Sequence, residues 1–164
     1  MVHCTCMNTS IVEQKLVTMG LSLPILPGTP GIYKRCVQTG QYLYVSGHVS
    51  IAADGSYITG KVGYDMDIEA GKIAARQAGL AILTSVKQYA GSLDAVKRVI
   101  KLLGMVNCTP EFEKHPVVIN GCSELYAQLW GEENGIGVRS AVGMSSLPAN
   151  ATVEIEALFE LRES

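Results

Sequence analysis

Apolar residues recur at helical spacing in two long stretches of the chain. The first stretch begins after Asp67, whose side chain can cap a helix, and ends at Gly91, a typical helix terminator. Its apolar stripe is formed by Gly71, Ala74, Ala75, Ala78, Ala81, Ile82, Val86 and Tyr89. Most of these residues are small. Because small side chains allow a helix axis to approach a sheet closely, we expect this helix to lie flat on a sheet.

A second helical stripe begins near Pro116, which the first turn of a helix tolerates, and ends at Gly131. Its apolar members are Val118, Cys122, Leu125, Tyr126 and Leu129. We expect residues 131–137 to form a loop. A shorter amphipathic stretch predicts an N-terminal helix that begins at Ser10, with Glu13 as the capping-box partner.

Shorter stretches that are apolar or alternate between apolar and polar residues predict the strands. They are Ile32–Val37, Tyr42–Ser46, a short segment Tyr57–Thr59, Val96–Cys108, Val138–Ser145 and Thr152–Leu161. Gly40 lies between the first two strands, which indicates a hairpin. Pro148 lies in a turn between the last two, so we expect those two strands to pair antiparallel.

The order of these elements predicts an α+β fold, in which two helices pack on one face of a mixed sheet beside the short N-terminal helix. The sequence supplies no third layer for the other face, so we expect subunits to pack there. With 164 residues, of which 48% are hydrophobic, the chain is expected to form one domain over residues 10–164. Residues 1–9 are expected to form a flexible tail.

Charge and cysteine content narrow the classes of function. Thirteen Lys and Arg against fifteen Asp and Glu give a net charge of −2, which makes nucleic acid a poor partner. Five scattered cysteines indicate free thiols in a reducing compartment, and the spacing of His3, Cys4 and Cys6 does not suit a metal site. Without the pattern of a signal peptide or a membrane span, the sequence predicts a cytoplasmic protein with no metal and no membrane contact.

The last two predicted strands contain the candidate chemistry. In the first of them, Arg139 shares a face with Ala141 and Gly143, whose small size leaves space above the sheet for a carboxylate. In the second, Glu154 lies on the polar face, where a carboxylate can bind or activate water. From this pattern alone, two solvated strand residues or a surface ion pair remain the favoured interpretation.

Six motifs follow one another along residues 21–161. They are Gly31-Ile32-Tyr33, Tyr44-Val45-Ser46-Gly47, Asn120, Arg139-Ser140, Leu147-Pro148 and Val153-Glu154-Ile155-Glu156. Each motif is weak alone, but the ordered set resembles the reactive intermediate deaminase family, RidA, also called YjgF and formerly endoribonuclease L-PSP. The N-terminal helix and the Lys61-Val62-Gly63 region resemble a longer subgroup of that family.

The resemblance implies a chorismate-mutase-like fold and a homotrimer with clefts between neighbouring subunits. It also implies that small 2-imino or enamine acids are hydrolysed there to 2-keto acids and ammonia, with no cofactor. Arg139 matches the arginine that clamps the substrate carboxylate, and Glu154 matches the glutamate that positions the attacking water. Tyr33, Gly47 and Asn120 match further residues of the cleft. A hydrogen bond within the first turn of the second helix explains Asn120 equally well.

Three residues depart from the usual family pattern. Ala141 stands where many members have a cysteine, His48 stands where glutamine is usual, and Ile32 replaces the proline before Tyr33. The resemblance places Ala141 and His48 among the substrate-binding positions, so these departures bear on substrate preference. A lone histidine at a strand end is, however, more often a hydrogen-bonded structural residue.

Two other functions fit the same residues. One is non-catalytic binding of keto acids or related small carboxylates at the same cleft. The other is an endoribonuclease or translation inhibitor, an activity attributed to some relatives of the family. That activity needs phosphate contacts, which the acidic balance disfavours unless assembly concentrates Lys97, Arg98 and Lys101.

Overall fold

The computed structural model describes residues 10–163, so the tail predicted at residues 1–9 lies outside the described residues. The helices in this range are α1 (Ile11–Thr18), α2 (Ile68–Ala90) and α3 (His115–Gly135). The strands are β1 (Cys36–Thr39), β2 (Tyr42–Val49), β3 (Val96–Asn107), β4 (Val138–Met144) and β5 (Val153–Leu161). Short 3-10 turns occupy Leu93–Ala95 and Pro148–Asn150.

The strands form one mixed sheet in the order β1-β2-β5-β3-β4, which confirms the predicted α+β fold. All neighbouring strands pair antiparallel except β3 and β4, which are parallel. The prediction that β4 and β5 pair with each other is wrong, because β3 lies between them. Helix α3 carries the chain back to the end of the sheet at which β3 begins, so β4 can pair parallel with β3. Strand β4 therefore lies at an edge of the sheet.

Helices α2 and α3 cover one face of the sheet and pack against each other. The predicted stripe of α2 is buried as far as Val86, and Ala74, Ala75 and Ala78 are all 0% exposed, whereas Tyr89 at its end is 48% exposed. At the crossing point, a methyl group added to Gly121 of α3 would lie 2.8 Å from the carbonyl carbon of Lys72 in α2. The two helix backbones are therefore in direct contact at this position.

The predicted helix caps are largely confirmed. Asp67 Oδ1 accepts a hydrogen bond from the Ala70 amide at 2.8 Å, and Gly91 ends α2 with a φ of 82°. Ser10 Oγ accepts from the Glu13 amide at 3.3 Å. The reciprocal half of the capping box is wrong, because the Glu13 carboxylate pairs instead with Lys87 at 3.2 Å, which ties α1 to the end of α2.

Two element boundaries in the structure differ from the predicted ones. The first strand begins at Cys36 rather than Ile32, so Tyr33 lies in irregular chain before β1. The loop predicted for residues 131–137 is mostly helical, since Gly131, with a φ of 79°, breaks α3 and helix then resumes to Gly135. Within residues 10–163, no helix is both long enough and apolar enough to cross a membrane.

The alternation predicted for β5 determines which of its residues face the helices and which face the other side of the sheet. Val153, Ile155 and Phe159 face the helices and are 0% exposed, whereas Glu154 and Glu156 face the opposite side. That opposite side, called here the open face, also contains Tyr44, which is 52% exposed. In the single chain the open face is therefore left to solvent.

The close contact between α2 and α3 predicts a large cost for a side chain at Gly121. In Gly121→Ala, the new methyl group overlaps the Lys72 backbone, which cannot rotate away, so we expect about 1–3 kcal/mol of destabilisation. Urea unfolding followed by circular dichroism measures this loss. Gly28→Ala is the matched control, because no atom lies within 4 Å of the added methyl group. Equal unfolding midpoints for the two variants would contradict the packing described here.

Candidate functional site

A cavity of about 540 Å³ opens beside the end of β2. It lies among the proline-rich loop before β1, the second half of β2, the 3-10 turn after β4 and the first residues of β5. Four of the predicted site residues line it, namely Tyr33, Gly47, His48 and Glu154. We call this group the cavity half-site.

A β-bulge shapes the wall of this cavity. The β2–β5 register shifts between Val45, which pairs with Ala157, and His48, which pairs with Ile155, so β2 contains one extra residue there. The bulge brings the Gly47 backbone against Glu154. A methyl group at Gly47 would lie 3.0 Å from Glu154 Cδ and would overlap its Oε1. The missing side chain of Gly47 thus makes room for the Glu154 carboxylate.

The Glu154 carboxylate is half-buried and receives no hydrogen bond from any residue in the described range 10–163. Burial raises the pKa of this carboxyl group above its ordinary value of 4.5, and the negative charge of Glu156 raises it further. A carboxylate without protein donors has its lone pairs available to a water molecule or a substrate. Its raised pKa also makes it a better proton acceptor.

The imidazole of His48 is turned away from the cavity. The bulge directs its side chain toward α2, where Nε2 lies 2.7 Å from Ser85 Oγ and Nδ1 lies 2.7 Å from the Ser46 carbonyl oxygen. Because a carbonyl only accepts, Nδ1 carries the proton. Burial lowers the pKa of His48, so the ring is neutral near pH 7. His48 borders the cavity, but its ring holds the bulge rather than reaching into the cavity.

Arg139 lies in edge strand β4 and points toward α3. Its Nη1 donates to Asn120 Oδ1 at 2.8 Å and to Ser123 Oγ at 3.1 Å, and its Nη2 donates to the Pro116 carbonyl at 3.4 Å. Ala141 lies on the same face of the strand, also half-buried. Among residues 10–163, no carboxylate pairs with Arg139. We call Asn120, Arg139 and Ala141 the edge half-site.

The two half-sites do not meet within one chain. Leu102 of β3 pairs with Arg139 on one side and with Ala157 on the other, so β4 and β5 are two strand spacings apart, about 10 Å. Arg139 points to the helix face of the sheet, whereas Glu154 points to the open face. The surface ion pair considered from the sequence is therefore absent from the described chain.

Two further features of the cavity wall escaped the sequence analysis. Arg35 lines the cavity from the chain before β1, where only its position two residues after Tyr33 could have drawn attention to it. Ala149 also lines it, with a left-handed φ of 54°, followed by Asn150 with the same φ. Non-glycine residues held in this conformation are strained, and such strain is concentrated at functional sites.

The described residues contain no group of three or more His, Cys, Asp or Glu side chains placed to hold a metal ion. The three cysteines in that range, Cys36, Cys108 and Cys122, are free, and burial raises the pKa of Cys36 to about 11 and that of Cys122 to about 12. Thiols with such values are almost entirely protonated near neutral pH and are poor nucleophiles.

Comparison with known proteins places these features in context. Residues 13–161 match the family model described as YjgF/chorismate mutase-like, putative endoribonuclease. Protein TCP17 of Trypanosoma cruzi is 37% identical over 150 residues, which cover 92% of this chain and 94% of that protein.

Solved structures show the same similarity. Protein Atu1372 of Agrobacterium tumefaciens is 40% identical with a TM-score of 0.83, and the alignment covers 93% of this chain and 94% of that one. A putative endoribonuclease of Shewanella oneidensis is 29% identical with a TM-score of 0.87, and the alignment covers 94% and 100%. RidA of an Antarctic Psychrobacter, 21% identical over 83% of this chain and 94% of its own, shares the fold with a TM-score of 0.57.

The electrostatic environment of Glu154 generates a titration prediction. In Glu156→Gln the pKa of Glu154 should fall, because a like charge is removed, yet stay above 4.5 because burial is the larger cause. Carbon-13 NMR of the side-chain carboxyl measures the shift. Glu111→Gln, which removes an exposed glutamate, is the charge-matched control and should leave the pKa of Glu154 unchanged. An identical shift in both variants would indicate only a change of net charge.

Proposed function

The chain belongs to the YjgF/RidA family, and from this premise we propose that it hydrolyses small 2-imino or enamine acids to 2-keto acids and ammonia. The observation that carries the proposal is the state of the two candidate groups. Arg139 is a guanidinium held in place by neutral oxygens, and Glu154 is a carboxylate with no hydrogen-bond donor from the described residues. Neither charge is neutralised by an ion pair within the described residues, so each can interact with a ligand.

Assembly accounts for the separation of the two groups. The open face exposes aromatic and aliphatic side chains, among them Tyr42 at 47% and Val138 at 68%. A homotrimer that covers this face would bring the edge half-site of one subunit against the cavity half-site of its neighbour. In this arrangement the catalytic cleft is complete only between subunits, and a monomer contains two incomplete parts.

The proposed reaction needs orientation and one positioned water. The fork of Arg139 suits two parallel hydrogen bonds to the substrate carboxylate. Glu154 takes a proton from water as the water oxygen bonds to the iminium carbon, which gives a tetrahedral carbinolamine. Glu154 returns that proton to the nitrogen, and the carbon–nitrogen bond then breaks to release ammonia while Glu154 takes the proton of the hydroxyl group, which leaves the keto acid. Transfer of this last proton to ammonia gives ammonium and regenerates the carboxylate. The iminium is already electrophilic, so proximity supplies much of the rate increase.

Two alternative functions, non-catalytic carboxylate binding and endoribonuclease activity, differ from this proposal in different ways. Non-catalytic carboxylate binding uses the same groups and differs only in the absence of turnover. The endoribonuclease named in the descriptions of several relatives needs cations for phosphate. Two of the cations considered for that role, Lys97 and Arg98, pair with Glu160 at 2.7 and 2.9 Å, which weakens their ability to bind phosphate.

Arg139 provides the direct test. We expect Arg139→Gln to reduce kcat/KM for 2-iminobutanoate, generated in situ, by about 10- to 100-fold, because charge-assisted hydrogen bonds to the carboxylate are lost. Ammonia release measures the rate. Arg162→Gln removes an exposed arginine whose Nε donates to the Asp94 carbonyl, and serves as control. Wild-type turnover by Arg139→Gln would refute the mechanism, and binding of 2-oxobutanoate without ammonia release would favour the non-catalytic alternative.

Gly47 tests the placement of the second group. In Gly47→Ala the new methyl group displaces the Glu154 carboxylate, which can swing away because it is the end of a flexible side chain. We expect ammonia release to fall roughly tenfold or more. The urea midpoint should stay close to that of wild type, which separates a displaced carboxylate from a damaged fold. Unchanged turnover in this variant would show that Glu154 acts from another position.

A further inference from the structure

The cavity wall contains a second guanidinium that the proposed reaction leaves unused. Arg35 precedes β1, and its backbone carbonyl accepts hydrogen bonds from the Ser46 amide at 2.9 Å and from Ser46 Oγ at 3.4 Å. These bonds tie the Arg35 backbone to the bulge of β2. Its Nη2 donates to the carbonyl of Pro27, in the proline-rich loop that also lines the cavity. Both ends of the residue are therefore held in place.

Arg35 has no carboxylate partner among residues 10–163. The ion pairs of that range use Lys72, Lys87, Lys97 and Arg98 as cations. Arg35 is half-buried and lines the same cavity as Glu154. A half-buried guanidinium without an anion has lost part of its hydration without the compensation of an ion pair. An anionic ligand group in the cavity would supply that compensation.

Size and charge restrict what such a ligand is. The cavity of about 540 Å³ falls within the roughly 300–1,000 Å³ typical of sites for ligands much larger than a four-carbon acid. The wall presents one cation, Arg35, and one carboxylate, Glu154. A molecule with a cationic iminium beside Glu154 and a negative group several bonds away matches this distribution.

We propose that Arg35 binds the side-chain carboxylate of the substrate, so that the preferred substrates are dicarboxylic 2-imino acids. This inference rests on the proposed function, because it assigns the α-carboxylate to Arg139 and the water to Glu154. Arg35 is a specificity-determining residue in this scheme, and the reaction steps themselves are unchanged. Two clamps on one small molecule would also fix the iminium carbon relative to Glu154.

Binding of product-like keto acids tests the inference without turnover. 2-Oxoglutarate and 2-oxopentanoate have the same five-carbon chain and differ in the second carboxylate. By calorimetry at constant ionic strength, we expect the wild-type protein to bind 2-oxoglutarate about tenfold more tightly. Arg35→Gln should lose this preference while it still binds 2-oxopentanoate, which shows that the variant is folded. Arg35→Lys should keep part of the preference, since it retains the charge without the fork.

Lys34→Gln is the matched control, because it removes an exposed cation next to Arg35 that does not line this cavity. It should retain the wild-type preference. Equal affinity of the wild-type protein for the two acids, failure to bind 2-oxoglutarate, or an undiminished preference in Arg35→Gln would each overturn the inference.

Ammonia assays then separate this inference from the proposed function. If the imines of both acids are hydrolysed at rates that Arg35→Gln does not alter, the deaminase proposal stands and the role of Arg35 is wrong. If neither these imines nor 2-iminobutanoate is hydrolysed but the preference for 2-oxoglutarate depends on Arg35, the binding role stands and the deaminase proposal fails.

Discussion

The antiparallel pairing of β5 with β2 and β3 is the interaction on which the rest of the structure depends. As a central strand, β5 shares hydrogen-bond ladders with both neighbours, and its alternate residues separate two environments. On the helix side, Ile155 and Phe159 are fully buried, each stabilising the fold by about 1.5–3 kcal/mol. On the other side the same strand presents Glu154. The residues that hold the sheet to the helices therefore also determine where the candidate carboxylate lies.

The bulge in β2 creates the space in which the Glu154 carboxylate lies beside the cavity. One extra residue turns His48 toward Ser85 on α2 and brings the bare backbone of Gly47 against Glu154. A glutamate on a regular ladder would meet a side chain at that position. Here the carboxylate rests on backbone, half-buried and without a donor from the described residues. Local irregularity in a strand, rather than a dedicated loop, makes the space for the chemistry.

Arg35, Arg139 and Glu154 each lack an ion-pair partner among the described residues. Stability alone would favour pairing such groups or replacing them, since half-buried charges without partners lose hydration. Arg35 and Arg139 are held instead by backbone and neutral side-chain oxygens, and Glu154 lies against the bare backbone of Gly47, as expected of groups that are kept available for a ligand. Arg139 and Glu154 lie on opposite faces of one sheet, which is why we propose that the cleft is completed between subunits.

Local information along the chain was enough to locate helices α1, α2 and α3, the Asp67 and Gly91 caps of α2 and the alternation of β5, because each depends on residues within a few positions of one another. The ordered motifs also identified Glu154, Gly47 and Arg139 as candidates. Only the tertiary structure decided that β3 separates β4 from β5, that His48 turns inward and that Arg35 enters the cavity wall. Strand pairing and bulge position depend on contacts between residues distant in sequence, and their energies are not encoded in any short pattern.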